Sequence, residues 1–243
     1  MSLQGKVAII TGAGRGIGRA TALHFAANGA MVALAARSED QINSVAEEIA
    51  ELAGVALAVP ADVTVEAQVQ NLVATTESRL GPVDILVNNA GVMILRPIAE
   101  TSLDEWNRVV NINLLGAFLC SRAVLPSMMK RRTGRIINIG SLAGRRGYHD
   151  QGVYCASKHG IYGLSKVLAI EGQPYGIRVN VVSPGGVLTE LSEELLSTRS
   201  PSEAAEWMTA EEVAAAIYYI ATQDGPATTD ELVLRRFAGE PWR

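Results

Sequence analysis

The sequence predicts an α/β domain, a mostly parallel β-sheet with helices packed on both of its faces. Three observations lead there. Short apolar runs rich in Val and Ile alternate with longer segments of helical period along most of the chain. Apolar residues make up 48% of the 243 residues and aromatics only 5%, so the core is built from Ala, Val, Ile and Leu, as a sheet buried on both sides requires. No Ser/Gly-rich linker, low-complexity run or repeat at a spacing of about 20–50 residues divides the chain, so residues 1–243 read as one domain.

The elements follow in order. Strands are expected at Lys6–Thr11, Met31–Ala36, Val55–Pro60, Val83–Asn88, Arg135–Ile139 and Arg178–Ser183, each brief, apolar and β-branched, with a short seventh edge strand at Glu231–Leu234. Helices are expected at Gly16–Asn28, Glu39–Ala53, Glu66–Leu80, Leu103–Arg131 (two helices or one bent one), Gly152–Tyr175 and Thr209–Thr222. Gly29, Gly54, Gly81, Gly134 and Gly176 stand just before the next strand, where a glycine can close a helix in the left-handed conformation. The Ser- and Glu-rich stretch Leu188–Met208 breaks the alternation and is read as a lid on the substrate side.

Composition narrows the function. A net charge of −4 argues against a nucleic-acid partner, which needs a basic surface. Cys120 and Cys155 form neither a disulfide framework nor a Cys/His metal spacing, so no metal is expected and the reading is cytoplasmic. The N-terminus lacks a signal-peptide pattern, and the longest apolar runs fall short of the roughly 18 residues of a membrane span, so no membrane is expected.

The first strand runs into Thr11-Gly12-Ala13-Gly14-Arg15-Gly16-Ile17-Gly18, a T-G-x-x-x-G-x-G turn opening a helix. Glycines at 12, 16 and 18 permit a sharp turn, let a pyrophosphate approach main-chain N–H groups, including that of Ile17, and let the helix pack close to the sheet. The positive end of the helix dipole then faces the phosphates. A glycine-rich turn with no ligand is the plain alternative; strand, turn and helix in this order favour a dinucleotide. The second strand ends Ala35-Ala36-Arg37-Ser38 with no acid before Glu39. Arg37 and Arg15 can clamp a ribose 2′-phosphate, so NADP(H) is preferred over NAD(H); solvated surface arginines are the alternative.

Ser141 stands at the end of the fifth strand, and thirteen residues later comes Tyr154-Cys155-Ala156-Ser157-Lys158. Tyr154 and Lys158, four apart, share one helix face, so the ammonium is expected near the phenol, lowering its pKa from about 10 toward the range of acid–base catalysis. Ser141 can hydrogen-bond a substrate oxygen. Each residue alone is ordinary; the joint pattern carries the weight. Arg145 and Arg146, between Ser141 and Tyr154, are either pocket residues favouring an anionic substrate or an exposed loop.

Thr11–Gly18, Asn88-Asn89-Ala90-Gly91, Asn113, Ser141, Tyr154-x-x-x-Lys158 and Pro184-Gly185 together resemble the short-chain dehydrogenase/reductase family over roughly residues 5–222. The resemblance implies a Rossmann-type sheet in the order 3-2-1-4-5-6-7. It implies a tetrad of Asn113, Ser141, Tyr154 and Lys158: Tyr154 is the general acid in reduction, Ser141 polarises the carbonyl, Lys158 binds the nicotinamide ribose, and Asn113 holds a water in a proton relay. It places Asp62 and Val63 beside the adenine, Asn89, Ala90 and Gly91 along the adenosine, and Val187 and Thr189 by the nicotinamide. It also implies a homotetramer or homodimer built on the fourth and fifth helix regions. The small-molecule substrate, a carbonyl or alcohol, is then a 3-oxoacyl thioester, a ketone, a sugar or another secondary alcohol; residues 180–185 and Met128-Met129-Lys130 weigh slightly for the thioester, and the end of the chain weighs against it. A non-catalytic NADP(H) sensor is the rival reading. The end of the chain, Glu231–Arg243, departs from the Val-Asp-Gly-Gly ending of many members.

Overall fold

A computed structural model describes residues 2–197 and 206–239. Seven strands, all parallel, form one sheet in the order β3-β2-β1-β4-β5-β6-β7. They are β1 (Val7–Thr11), β2 (Met31–Ala36), β3 (Val55–Pro60), β4 (Ile85–Asn88), β5 (Gly134–Ile139), β6 (Ile177–Pro184) and β7 (Glu231–Leu234). The helices are α1 (Gly16–Ala27), α2 (Glu39–Glu51), α3 (Glu66–Arg79), α4 (Leu103–Val110), α5 (Gly116–Arg131), α6 (Gly152–Gly172), the single turn α7 (Glu193–Leu196) and α8 (Ala210–Thr222).

Continuous apolar strands still sort by the two-residue period of the pleat. Ala8, Ile10, Val32 and Leu34 join α1, α2 and α8 through Phe25, Ile42 and Ile217. Ile9, Ala33 and Leu86 join α3, α5 and α6 through Leu72, Val124 and Leu168 on the other face. Both faces of the central strands are covered, which is why those strands show no polar alternation.

Several boundaries differ from expectation. Gly29, Gly81 and Gly176 do adopt positive φ, but after α2 and α5 the left-handed residues are Ala53 (φ 58°) and Arg132 (φ 54°) rather than Gly54 and Gly134. Gly54 and Gly134 are needed for space, since a Cβ would come 2.7 Å from Ile49 and 2.4 Å from Met128. Leu103–Arg131 is one uninterrupted helical run in which a π-helical segment, Asn111–Leu115, joins α4 to α5. That run of 29 residues is long and apolar enough to cross a membrane by length and hydropathy, and in this fold it packs against α3 and α6.

Candidate active site

The strand ends place the site. In an open parallel sheet the C-terminal edge, where neighbouring connections leave in opposite directions, forms a crevice. Here that edge holds two adjoining hollows of about 360 and 460 Å³ that share Ile17, Asn89, Gly91, Thr189 and Leu191.

The smaller hollow gathers Gly12, Arg15, Gly16, Ile17, Arg37, Asp62, Val63, Asn89, Ala90 and Gly91. Gly12 (φ 64°) and Gly16 (φ 51°) take the left-handed conformation the turn demands. Gly18 does not line either hollow; a Cβ there would lie 2.1 Å from the Gly12 carbonyl oxygen, so its role is close packing of α1 on the turn. The N-cap of α1 is Arg15, which provides no side-chain acceptor, and the first turn carries no acid, so the leading N–H groups are left to an outside anion. Arg15 and Arg37 are exposed on the rim, and neither forms an ion pair among the described residues. The backbone cradle and the two guanidinium groups fit a phosphorylated dinucleotide.

Asn89 and Asp62 also serve the scaffold. The Asn89 amide donates to the carbonyls of Thr11 (2.9 Å) and Gly12 (3.2 Å), tying the end of β4 to the glycine turn. Asp62 accepts from the backbone N–H and hydroxyl of Thr64 at 2.9 and 2.7 Å. Sequence reasoning missed Gln41 and Glu190 on these walls. The Glu190 carboxylate, carried by the covering segment, lies 3.5 Å from where a Cβ of Gly16 would stand, so it faces the glycine turn.

The larger hollow brings together Ser141, Tyr154, Lys158, Pro184, Gly185, Val187 and Thr189. Tyr154 and Lys158 lie on the buried face of α6. The ammonium sits 5.7 Å from the phenol ring centroid and donates to the Ile139 carbonyl at 2.7 Å, at the end of β5. In place of the expected depression, burial pushes Tyr154 up to about 12, with the Ser141 hydroxyl acting in the opposite sense and Cys155 adding to the rise. Burial likewise lowers Lys158 to about 8. Both groups are driven toward neutrality because low polarity penalises whichever form is charged.

Asn113 is buried behind the hollow and lines neither wall. Its amide donates to the Val92 carbonyl (2.9 Å) and the Ser157 hydroxyl (3.0 Å), and its oxygen accepts from the Val92 N–H (2.8 Å). The side chain thus clamps the segment after β4 to α6, and the π-helical segment projects it there. Beneath it Asn88 donates to Asn138 (2.8 Å) and Ser121 (3.0 Å), and Asn138 donates to Ser165 (2.8 Å), pinning β4, β5, α5 and α6 together. Ser157, Asn138 and Ser165 gave no sequence signal, because a buried Asn–Ser network has no spacing rule.

Of the arginine pair, Arg146 lines the larger hollow and donates to Tyr148 (2.8 Å), whereas Arg145 turns to Glu231 (3.8 Å). The expected lid at 188–208 is described over Leu188–Ser197 and Glu206–Met208. Thr189, Leu191, Leu195 and Trp207 do line the hollow, and residues 198–205 lie outside the described part.

Comparison with known proteins settles the family. Residues 6–200 match the family model for short chain dehydrogenases. The chain belongs to the short-chain dehydrogenase family. It is 39% identical over 229 residues to the 3-oxoacyl-[acyl-carrier-protein] reductase of Synechocystis sp., covering 93% of each chain. It is 38% identical over 237 residues to the corresponding reductase of Escherichia coli, covering 95% of this chain and 96% of that protein. Among solved structures, levodione reductase superposes with a TM-score of 0.89 at 34% identity over 96% of both chains. A metagenomic short-chain oxidoreductase in complex with NADP does so with a TM-score of 0.85 at 31% identity, covering 98% of this chain and all of that one. The dehydrogenase is therefore an oxidoreductase of the CH–OH class that uses a nicotinamide cofactor.

Proposed function

We propose that this dehydrogenase transfers a hydride between NADP(H) and a carbonyl or secondary alcohol, with a 3-oxoacyl thioester as the substrate class its relatives favour. The observation that carries the reading is that Ser141, Tyr154 and Lys158 open into a hollow continuous with the glycine-turn trough. A nicotinamide cofactor, when bound, supplies or accepts the hydride. Tyr154, a phenol protonated at neutral pH and lining the hollow, is placed to give its proton to a carbonyl oxygen. Ser141 would hydrogen-bond the same oxygen, and Lys158 would hold the cofactor ribose. In this reading Asn113 is a positioning residue, since both amide hydrogens and its oxygen are engaged.

Arg15 and Arg37, exposed beside the trough, support the 2′-phosphate preference, as does the NADP held by one structural neighbour. The reading further places the protein in the cytoplasm as a homotetramer or homodimer, supported by apolar side chains left exposed on α4, α5 and α6.

A ketone screen followed by NADPH absorbance tests the chemistry. Tyr154→Phe is expected to bind NADPH nearly as wild type while losing at least about a hundredfold in kcat, since only the proton donor is removed. Comparable kcat in that variant, or cofactor binding with no turnover of any carbonyl by the wild type, overturns the reading in favour of a sensor. Arg37→Asp is expected to lower the NADPH-to-NADH ratio of kcat/KM by roughly tenfold or more, because it places like charge against the 2′-phosphate. An unchanged ratio would mean that Arg37 does not meet the phosphate.

A further inference from the structure

The sheet register carries the unusual chain end into the substrate hollow. β7 pairs in parallel with β6 so that Leu234 lies opposite Pro184, and the Gly185 N–H donates to the Leu234 carbonyl at 2.8 Å. The next two residues, Arg235 and Arg236, therefore emerge at the same edge as Ser141 and Gly185, and both line the larger hollow. Arg235 donates to the carbonyls of Arg236 (2.9 Å), Phe237 (2.9 Å) and Gly239 (2.8 Å), folding the tail back so that Ala238 and Gly239 also face the hollow. Arg236 stacks over the Trp207 ring at 5.8 Å, and its one described carboxylate partner, Glu206 at 4.0 Å, is not part of the wall. Arg146 stands on another wall over Tyr148.

Among the described residues the lining of the hollow thus carries Arg146, Arg235, Arg236 and Lys158, and no Asp or Glu. A protein of net charge −4 has gathered four cationic side chains in one concave place whose described lining carries no carboxylate. A low-dielectric cleft lined by one sign of charge focuses its field and attracts the opposite charge. Beside Arg236 the buried indole N–H of Trp207 donates to no acceptor among the described residues. From these we infer that the substrate of this dehydrogenase is an anionic carbonyl compound, its carboxylate or phosphate held by Arg236 and Arg146 while its carbonyl lies at Tyr154. The inference rests on the oxidoreductase reading above and gives its substrate a charge.

The test uses three 3-oxo esters of equal chain length ending in a carboxylate, a phosphate or an uncharged methyl ester, assayed with NADPH on the full-length protein. The matching 3-hydroxy compounds are titrated calorimetrically at saturating NADPH, a pairing with no hydride acceptor, which reads binding without turnover. The wild type is expected to favour at least one anionic member over the neutral one by tenfold or more in both measurements, with the preference shrinking as salt rises. Arg236→Gln and Arg146→Gln, made separately, are each expected to cut that preference several-fold, and the carboxylate and phosphate arms identify which anion the site takes. Equal binding of neutral and anionic members by the wild type overturns the inference, as does a preference that survives in both variants. Anion-selective binding without turnover of any member would uphold the charge site and sink the oxidoreductase reading; Tyr154-dependent turnover without anion preference would do the reverse.

Discussion

Burial acts on Tyr154 and Lys158 in the same physical sense, with opposite effects on their protons. The phenol is held protonated up to about 12, whereas the ammonium gives up its proton near 8 instead of 10.5. A lysine whose folded pKa lies below its unfolded one binds fewer protons in the native state between those two values. Its contribution to stability is therefore fully present above about 10.5 and is lost as pH falls through about 8, a cost on the order of 3 kcal/mol for keeping the charge buried. In Lys158→Met that linkage is gone, along with the hydrogen bond to Ile139. Wild type is expected to gain stability relative to the variant as pH rises from 8 toward 10.5, read as the difference in denaturant midpoints on a pH series. A constant difference across that range would show that Lys158 is solvated in the native protein.

At the scale of elements, the glycine turn and its covering segment oppose one another electrically. α1 presents uncapped N–H groups and Arg15 to the trough, while the Thr189–Leu191 segment lowers Glu190 against Gly16. Removing that charge without changing the side chain's shape is expected to tighten NADPH binding: Glu190→Gln should lower Kd by roughly three- to tenfold, measured by fluorescence titration at low salt, with the gain fading as salt is added. A weaker Kd would mean that Glu190 supports the cofactor instead. This opposition was not legible in the sequence. The turn was, because Gly12, Gly16 and Gly18 sit at positions fixed by backbone conformation and close packing. Tyr154 and Lys158 were legible because a helix imposes their shared face. Glu190 lies on a segment with no period, and it meets Gly16 only through the tertiary fold. The same holds for the left-handed Ala53 and Arg132, where the expected glycines proved to be needed for the space they leave. The sign of the Tyr154 shift escaped as well, since helical spacing brings charges near but says nothing of how dry their surroundings are.

Across the whole molecule, the parallel sheet consumes apolar residues on both faces, and a second set of large apolar side chains still remains outside. Leu103 (72% exposed) and Trp106 lie on α4, Phe118 on α5, and Val167 and Ile170 (71% exposed) on α6. These helices pack side by side on one face of the sheet. Isolated exposed apolar residues are ordinary, but a set on neighbouring helices marks an association surface. Burying each such side chain is worth about 1.5–3 kcal/mol, so a second copy of the chain meeting this face through a two-fold axis gains from every one of them twice. Light scattering on the purified protein is therefore expected to give a multiple of the 25.8 kDa chain mass. Ile170→Glu should remove the contact made through α6, and Leu103→Glu that made through α4. Each carboxylate would have to be desolvated opposite its own symmetry mate, so a tetramer built on both surfaces should fall to a dimer with either change and to single chains with both. A wild-type mass of one chain, or a mass indifferent to both substitutions, would leave these helices as a solvated flank and remove the assembly from the proposed function.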